Sequence, residues 1–183
     1  MDLHAVRAAV LVEQQYQEME VWYPVYRLRE AGCKVTLVGP DAGQTYPSKL
    51  GYPARSDRAA RDVSAADFDL LVIPGGFAPD YLRRHAPVLR LVSDMAEQGK
   101  VVAAICHGPW VLCSTQALKG RKVTSFSSIK DDLTNAGADW TDAEVVRDGN
   151  LITSRKPDDL PAFLQAIMQA IKEAKPAMVG AGR

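Results

Sequence analysis

The sequence predicts an α/β fold, an open sandwich in which a mostly parallel sheet carries helices on both faces. Three observations support this. Short apolar runs of strand length alternate with stretches of helical periodicity. Two of those runs stop abruptly at Pro74-Gly75-Gly76 and at Cys106-His107-Gly108-Pro109. The Asp148-Gly149 dipeptide between two further runs favours a type I′ turn and so adds an antiparallel edge to the sheet.

Taken in order, Val6 to Val12 reads as a buried strand and Glu18 to Ala31 carries a helical pattern that Gly32 ends. Pro24 is tolerated only near a first turn, which sets the expected helix start around Glu20 and leaves Glu13 to Glu18 as a loop. Lys34 to Gly39 forms the next strand. Pro40 to Ala66 is polar with scattered Gly and Pro, so loops are expected there, with a short hairpin near Thr45 and Tyr52. Leu70 to Ile73 is a continuous apolar strand, Val88 to Gln98 a helix stopped by Gly99, and Val101 to Ile105 another buried strand. Trp110 to Leu118 reads as a helix closed by Gly120. Glu144 to Arg147 and Leu151 to Thr153 form the hairpin around Asp148-Gly149. Pro157 then opens a helix with Asp158 and Asp159 in its first turn and Leu160, Phe163, Leu164, Ile167, Met168 and Ile171 on its apolar stripe. From Lys172 onward the periodicity fades and a frayed tail is expected, so residues 1–183 read as one domain with 172–183 as its tail.

Composition excludes several function classes. With 183 residues, 47% hydrophobic and 24% charged, the chain is of ordinary globular type and large enough for one substantial core. Twenty-two basic residues balance twenty-two acidic ones with no basic cluster, so no nucleic-acid partner is expected. The N-terminal residues lack a basic region followed by a long apolar one, and no apolar run reaches about 18 residues, which predicts a cytoplasmic protein with no membrane partner. Cys33, Cys106 and Cys113 are too few for a disulfide framework and form no CxxC pair, so neither structural zinc nor thioredoxin-like chemistry is expected.

The chemistry centres on Cys106. It stands between a buried strand and the start of a helix, on a turn that exposes one side chain above the sheet, where ligands of open α/β sheets bind. Unpaired amides and the partial positive charge at a helix N-terminus favour a thiolate, so a reactive nucleophile is expected. Gly108 permits close backbone approach and Pro109 suits a first helical turn. Gly75 and Gly76 supply a second strand-end turn whose amides, with that of His107, are candidates for an oxyanion hole. Cys113 and Cys33 read as core packing, and His4 and His85 as surface or loop residues.

The segments AICHGPW, VIPGGFAPD, EVWYPVYRLREAG, SIKDDLTNAGADWTDAEVV and DGNLITSR closely resemble the PfpI-type intracellular protease family, within the superfamily that includes the Parkinsonism-associated protein deglycase. The resemblance runs from about Val6 to Ile171. It implies a flavodoxin-like three-layer α/β/α sandwich with a nucleophile elbow, a homodimer or higher homo-oligomer, and no cofactor. It also implies a protonated carboxyl beside the cysteine, which falls on Glu20, with Glu18 as the alternative; two adjacent anions would disfavour each other. His107, as the neighbour of Cys106 on a tight turn, is expected to point away from it; the resemblance pairs this His with an acid of a neighbouring subunit, at the position of Asp80. Asp80 stands where the family often has Glu, and Phe126 where many members have Tyr, and both departures weaken a protease assignment. Glutamine amidotransferases, which share this sheet and turn, need a His well downstream of the Cys, and His107 is the last one.

Three functions follow. The first is an enzyme of glyoxalase or deglycase type, in which Cys106 adds to small reactive aldehydes or glycated groups and Glu20 and His107 shuttle protons. A peptidase using Cys106, His107 and Asp80 across a subunit interface is the second. The third is a redox sensor or chaperone that responds to Cys106 oxidation.

Overall fold

The computed structural model describes residues 3–179, with side chains described through Ala174. In chain order the elements are β1 (Arg7–Leu11), α1 (Glu18–Glu30), β2 (Lys34–Gly39), β3 (Thr45–Pro47), β4 (Pro53–Arg55), β5 (Arg58–Ala59), β6 (Leu70–Ile73), α2 (Ala78–Leu82) and α3 (Ala86–Glu97). There follow β7 (Val101–Ile105), α4 (Pro109–Cys113), β8 (Lys122–Val123), α5 (Lys130–Asn135), β9 (Asp139–Trp140), β10 (Val145–Asp148), β11 (Leu151–Ser154) and α6 (Leu160–Val179).

The main sheet has seven strands in the order β10-β11-β7-β6-β1-β2-β5. All neighbours are parallel except β10 and β11, which pair antiparallel across Gly149, as the Asp-Gly dipeptide requires. Every residue of β6 and β7 is buried, because both faces of these strands are covered, and this is why they read as unbroken apolar runs. From β1 the chain steps one way to β2, and from β6 the other way to β7. Right-handed crossovers therefore place α1 and α3 on opposite faces. Helix α6 packs beside α1 and over β7, β10 and β11, completing the sandwich.

Several boundaries differ from expectation. Helix α1 begins at Glu18, because the Gln17 side chain caps it by accepting from the Glu20 amide at 3.0 Å; Pro24 sits inside the helix, buried. A loop was expected at 58–59, where β5 instead adds an edge strand beside β2. Helix α4 ends at Cys113 rather than Leu118. The Thr115 hydroxyl donates to the Leu112 carbonyl and accepts from the Ala117 amide, taking backbone groups that a longer helix would use. Pro157 opens a 3-10 turn and α6 proper starts at Leu160. The tail expected from Lys172 is helical as far as Val179, and residues 180–183 lie outside the described residues.

Candidate active site

The β1/β6 junction is where the strand order reverses, and a crevice at the carboxyl ends of the strands is the place where such sheets bind ligands. Three chain segments meet near it. The loop after β1 is tied to the turn after β6, since the Gln17 amide donates to the Gly75 carbonyl at 3.3 Å and the Phe77 amide to that of Gln15 at 2.9 Å. The turn after β7 carries Cys106 and is held by its amide on the Ser154 carbonyl at 3.0 Å and by the Phe126 amide on its own carbonyl at 3.0 Å.

Cys106 has φ of 62°, a left-handed conformation that side chains rarely adopt and that costs about 1–3 kcal/mol. The crowding around it explains both glycines of the neighbouring turn. A Cβ on Gly75 would lie 2.7 Å from Cys106 Cβ and from Glu20 Oε2, and one on Gly76, where φ is 75°, would lie 2.4 Å from the Gln15 carbonyl oxygen.

Glu20 reaches this point from the first turn of α1 and is fully buried. Its Oε2 accepts from the Gly75 amide at 2.7 Å, whereas Oε1 is buried with no hydrogen-bond partner. Burial pushes the carboxyl up to about 7, against the hydrogen bonds from Gly75 and Cys106 that favour its ionised form. Cys106 is pushed up to about 12, first by burial and then by the charge of Glu20, against the Gly76 and His107 amides that donate to its sulfur. The two amides of the turn favour the thiolate, as the turn alone predicts, whereas loss of solvent and the adjacent carboxyl oppose it. The two acids hold at most one negative charge between them near neutral pH.

His107 does not point away from its neighbour. Its Nδ1 lies 3.3 Å from Cys106 Sγ and its Nε2 3.1 Å from Ser128 Oγ. The ring stacks on Phe126 with centroids 5.1 Å apart and meets Trp110 edge-on at 5.4 Å. Burial, with the nearby Lys49 charge second, lowers its pKa and keeps the imidazole neutral at pH 7.

The structure therefore brings together Cys106, His107, Glu20, Gly75, Gly76 and Phe126. The Gly75 amide is committed to Glu20, which leaves the amides of Gly76 and His107 as the pair aimed at the sulfur. Glu18, the alternative acid, is drawn away instead; it accepts from the Ser48 hydroxyl and from the Leu50 amide at 2.9 Å. Asp80 is in the first turn of α2, half-buried and ion-paired with Arg84, and does not meet His107 within the chain. Sequence reasoning missed Gln17 and Ser128. Gln is an unusual cap, and Ser128 reaches His107 only through the path of its loop. His4 is exposed and His85 half-buried, both on surface segments as expected, and Cys33 is buried. Among the described residues, no group of three or more His, Cys, Asp or Glu could hold a metal ion, and no helix is long and apolar enough to cross a membrane.

Known proteins are similar to this chain over nearly its whole length. The chain is 45% identical over 166 residues to the putative cysteine protease YraA of Bacillus subtilis, covering 91% of this chain and 98% of that protein. It is 42% identical over 159 residues to protein/nucleic acid deglycase 2 of Escherichia coli, covering 86% and 92% of the two. Among solved structures, a two-domain protein of Anabaena variabilis with dj-1/thij/pfpi-like and ferritin-like domains superposes with a TM-score of 0.89 at 42% identity, over 91% of this chain; the chain spans 48% of that protein. The DJ-1/PfpI family pattern matches residues 6–170, from the first strand to the last helix and through the cysteine turn between them, and the chain belongs to that family.

Proposed function

We propose that this protein is a cysteine-dependent enzyme that acts on reactive carbonyls, either free α-oxoaldehydes or the groups they leave on amines. The observation that carries this reading is the placing of one thiol between two proton carriers of different kind. His107 Nδ1 is 3.3 Å from the sulfur, and the buried carboxyl of Glu20 lies against the same side chain.

With methylglyoxal, His107 Nδ1 takes the thiol proton as sulfur bonds to the aldehyde carbon, and the carbonyl electron pair moves to oxygen. Glu20 in its protonated form delivers its proton to that oxygen, giving a hemithioacetal. An unpartnered Oε1 suits a carboxyl that carries its proton there. The ionised Glu20 then removes the hydrogen on the former aldehyde carbon as His107 gives the proton it took from the thiol to the ketone oxygen. Glu20 returns its hydrogen at the adjacent carbon as the hemithioacetal hydroxyl gives its proton to His107. The first carbon becomes a thioester as the ketone becomes an alcohol, an internal oxidation and reduction. Water then adds to the thioester and the carbon–sulfur bond breaks; sulfur takes its proton back from His107, one proton of the water returns to Glu20, and the other leaves with the hydroxy acid.

Turnover of methylglyoxal and cleavage of an unstructured peptide, by wild type and Cys106→Ser side by side, test the reading. Aldehyde consumption that needs Cys106 is expected; a Cys106→Ser protein as fast as wild type would sink it. Peptide cleavage without aldehyde turnover would favour the peptidase, a reading that the name of the Bacillus relative keeps open.

Self-association belongs to the same proposal. Met19, Tyr23 and Tyr26 of α1 and Leu50 and Tyr52 from the loop between β3 and β4 expose a large apolar surface on one side. Sedimentation at micromolar concentration is expected to give a dimer or larger species, and a strictly monomeric protein would remove this part.

A further inference from the structure

We propose that Ser128 is a positioning residue that holds His107 as its Nε2–H tautomer, so that the imidazole is aimed at Cys106 by a hydroxyl of the same chain. The proposal rests on the carbonyl-directed reading above, in which His107 Nδ1 must accept the thiol proton. A neutral imidazole carries one N–H, and an accepting Nδ1 requires that hydrogen on Nε2. Ser128 Oγ is the atom placed to accept it, at 3.1 Å.

Ser128 is fixed relative to the nucleophile turn rather than to remote surface. The Phe126 amide donates to the Cys106 carbonyl at 3.0 Å, and the Ile129 amide to the Phe126 carbonyl at 3.2 Å, so the turn bearing Ser128 takes its register from Cys106. Behind it, the Thr124 amide donates to the Thr153 hydroxyl at 2.9 Å and the Trp140 indole N–H to Ser125 Oγ at 3.0 Å. Phe126 stacks on the imidazole and sets its plane, and Ser128 then selects which nitrogen carries the hydrogen. Within the chain Ser128 Oγ is the polar atom at hydrogen-bond distance from Nε2, while the acid at position 80 is paired with Arg84. A hydroxyl also differs from a carboxylate in consequence. It orients the ring without adding a charge that would raise its basicity, so His107 remains a neutral base.

The test compares Ser128→Ala, Ser128→Thr and the neighbouring Ser127→Ala with wild type. Ser128→Ala is expected to lower kcat for methylglyoxal about tenfold with KM kept within about twofold, as loss of one orienting hydrogen bond implies. Nitrogen-15 NMR of the His107 ring is expected to change from the Nε2–H pattern to a mixture of tautomers. Ser128→Thr, which keeps the hydroxyl, restores both, and Ser127→Ala alters neither. An unchanged tautomer pattern in Ser128→Ala, or a threonine variant that rescues nothing, would overturn the proposal. If the wild type turned over no aldehyde at all, the reaction would fall, whereas the NMR pattern would still decide the role of Ser128.

Discussion

Cys106→Gly and Cys106→Ala are both expected to lose aldehyde turnover by about a thousandfold or more, since each removes the thiol that forms the covalent adduct in the proposed reaction. Their stabilities should differ in a direction opposite to the ordinary preference for alanine. At φ of 62° a Cβ is strained and glycine is not, so the glycine variant should be more stable than the alanine variant by about 1 kcal/mol. Urea unfolding of the two proteins checks the order, and turnover assays check the loss. Alanine as the more stable variant would mean that the strain at the turn is not real. Residual turnover above about a tenth of wild type in either would remove Cys106 from the chemistry.

Glu20 should make stability fall as pH rises through the neutral range. Its carboxyl is pushed from 4.5 up to about 7 in the folded protein, chiefly by burial. Between those values the unfolded chain has released the proton and the folded chain still holds it, so the unfolding free energy decreases with pH. The shift corresponds to about 3 kcal/mol across the window, fully favourable to the folded state below pH 4.5 only in the sense that no penalty is then paid, and complete as a penalty above pH 7. Asp67 and Asp69, held low by hydrogen bonds from Ser64 and Arg7 respectively, act with the opposite sign and only at more acid pH. Glu20→Gln should flatten the slope between pH 5 and 7, as measured by denaturant unfolding at several pH values. It should also slow aldehyde turnover about a hundredfold, because an amide cannot exchange the proton. An equal slope in the two proteins would show that Glu20 is ionised throughout.

The parts legible in the sequence were those that depend on neighbours along the chain. Leu70–Ile73 and Val101–Ile105 announced buried strands by composition, Asp148-Gly149 announced a hairpin, and Cys106-His107-Gly108-Pro109 announced a turn from strand to helix. The parts that were not legible depend on atoms brought from elsewhere. Gln17 as a helix cap moved the start of α1 by two residues, and β5 exists because Leu37 and its neighbours offer an edge to pair with. The contacts of His107 with Cys106 and Ser128 depend on the rotation of one side chain and on a loop that returns to the turn.

The sequence by itself determined the sheet order's raw material, the family and the candidate nucleophile, because periodicity and turn chemistry are local and the motifs are contiguous. Only the tertiary structure decided the surroundings of that cysteine. A helix-start position favours a thiolate, whereas burial and the carboxyl of Glu20, from the other side of the strand reversal, oppose that charge. Desolvation and charge act through space, and their balance is set by which groups the fold packs together.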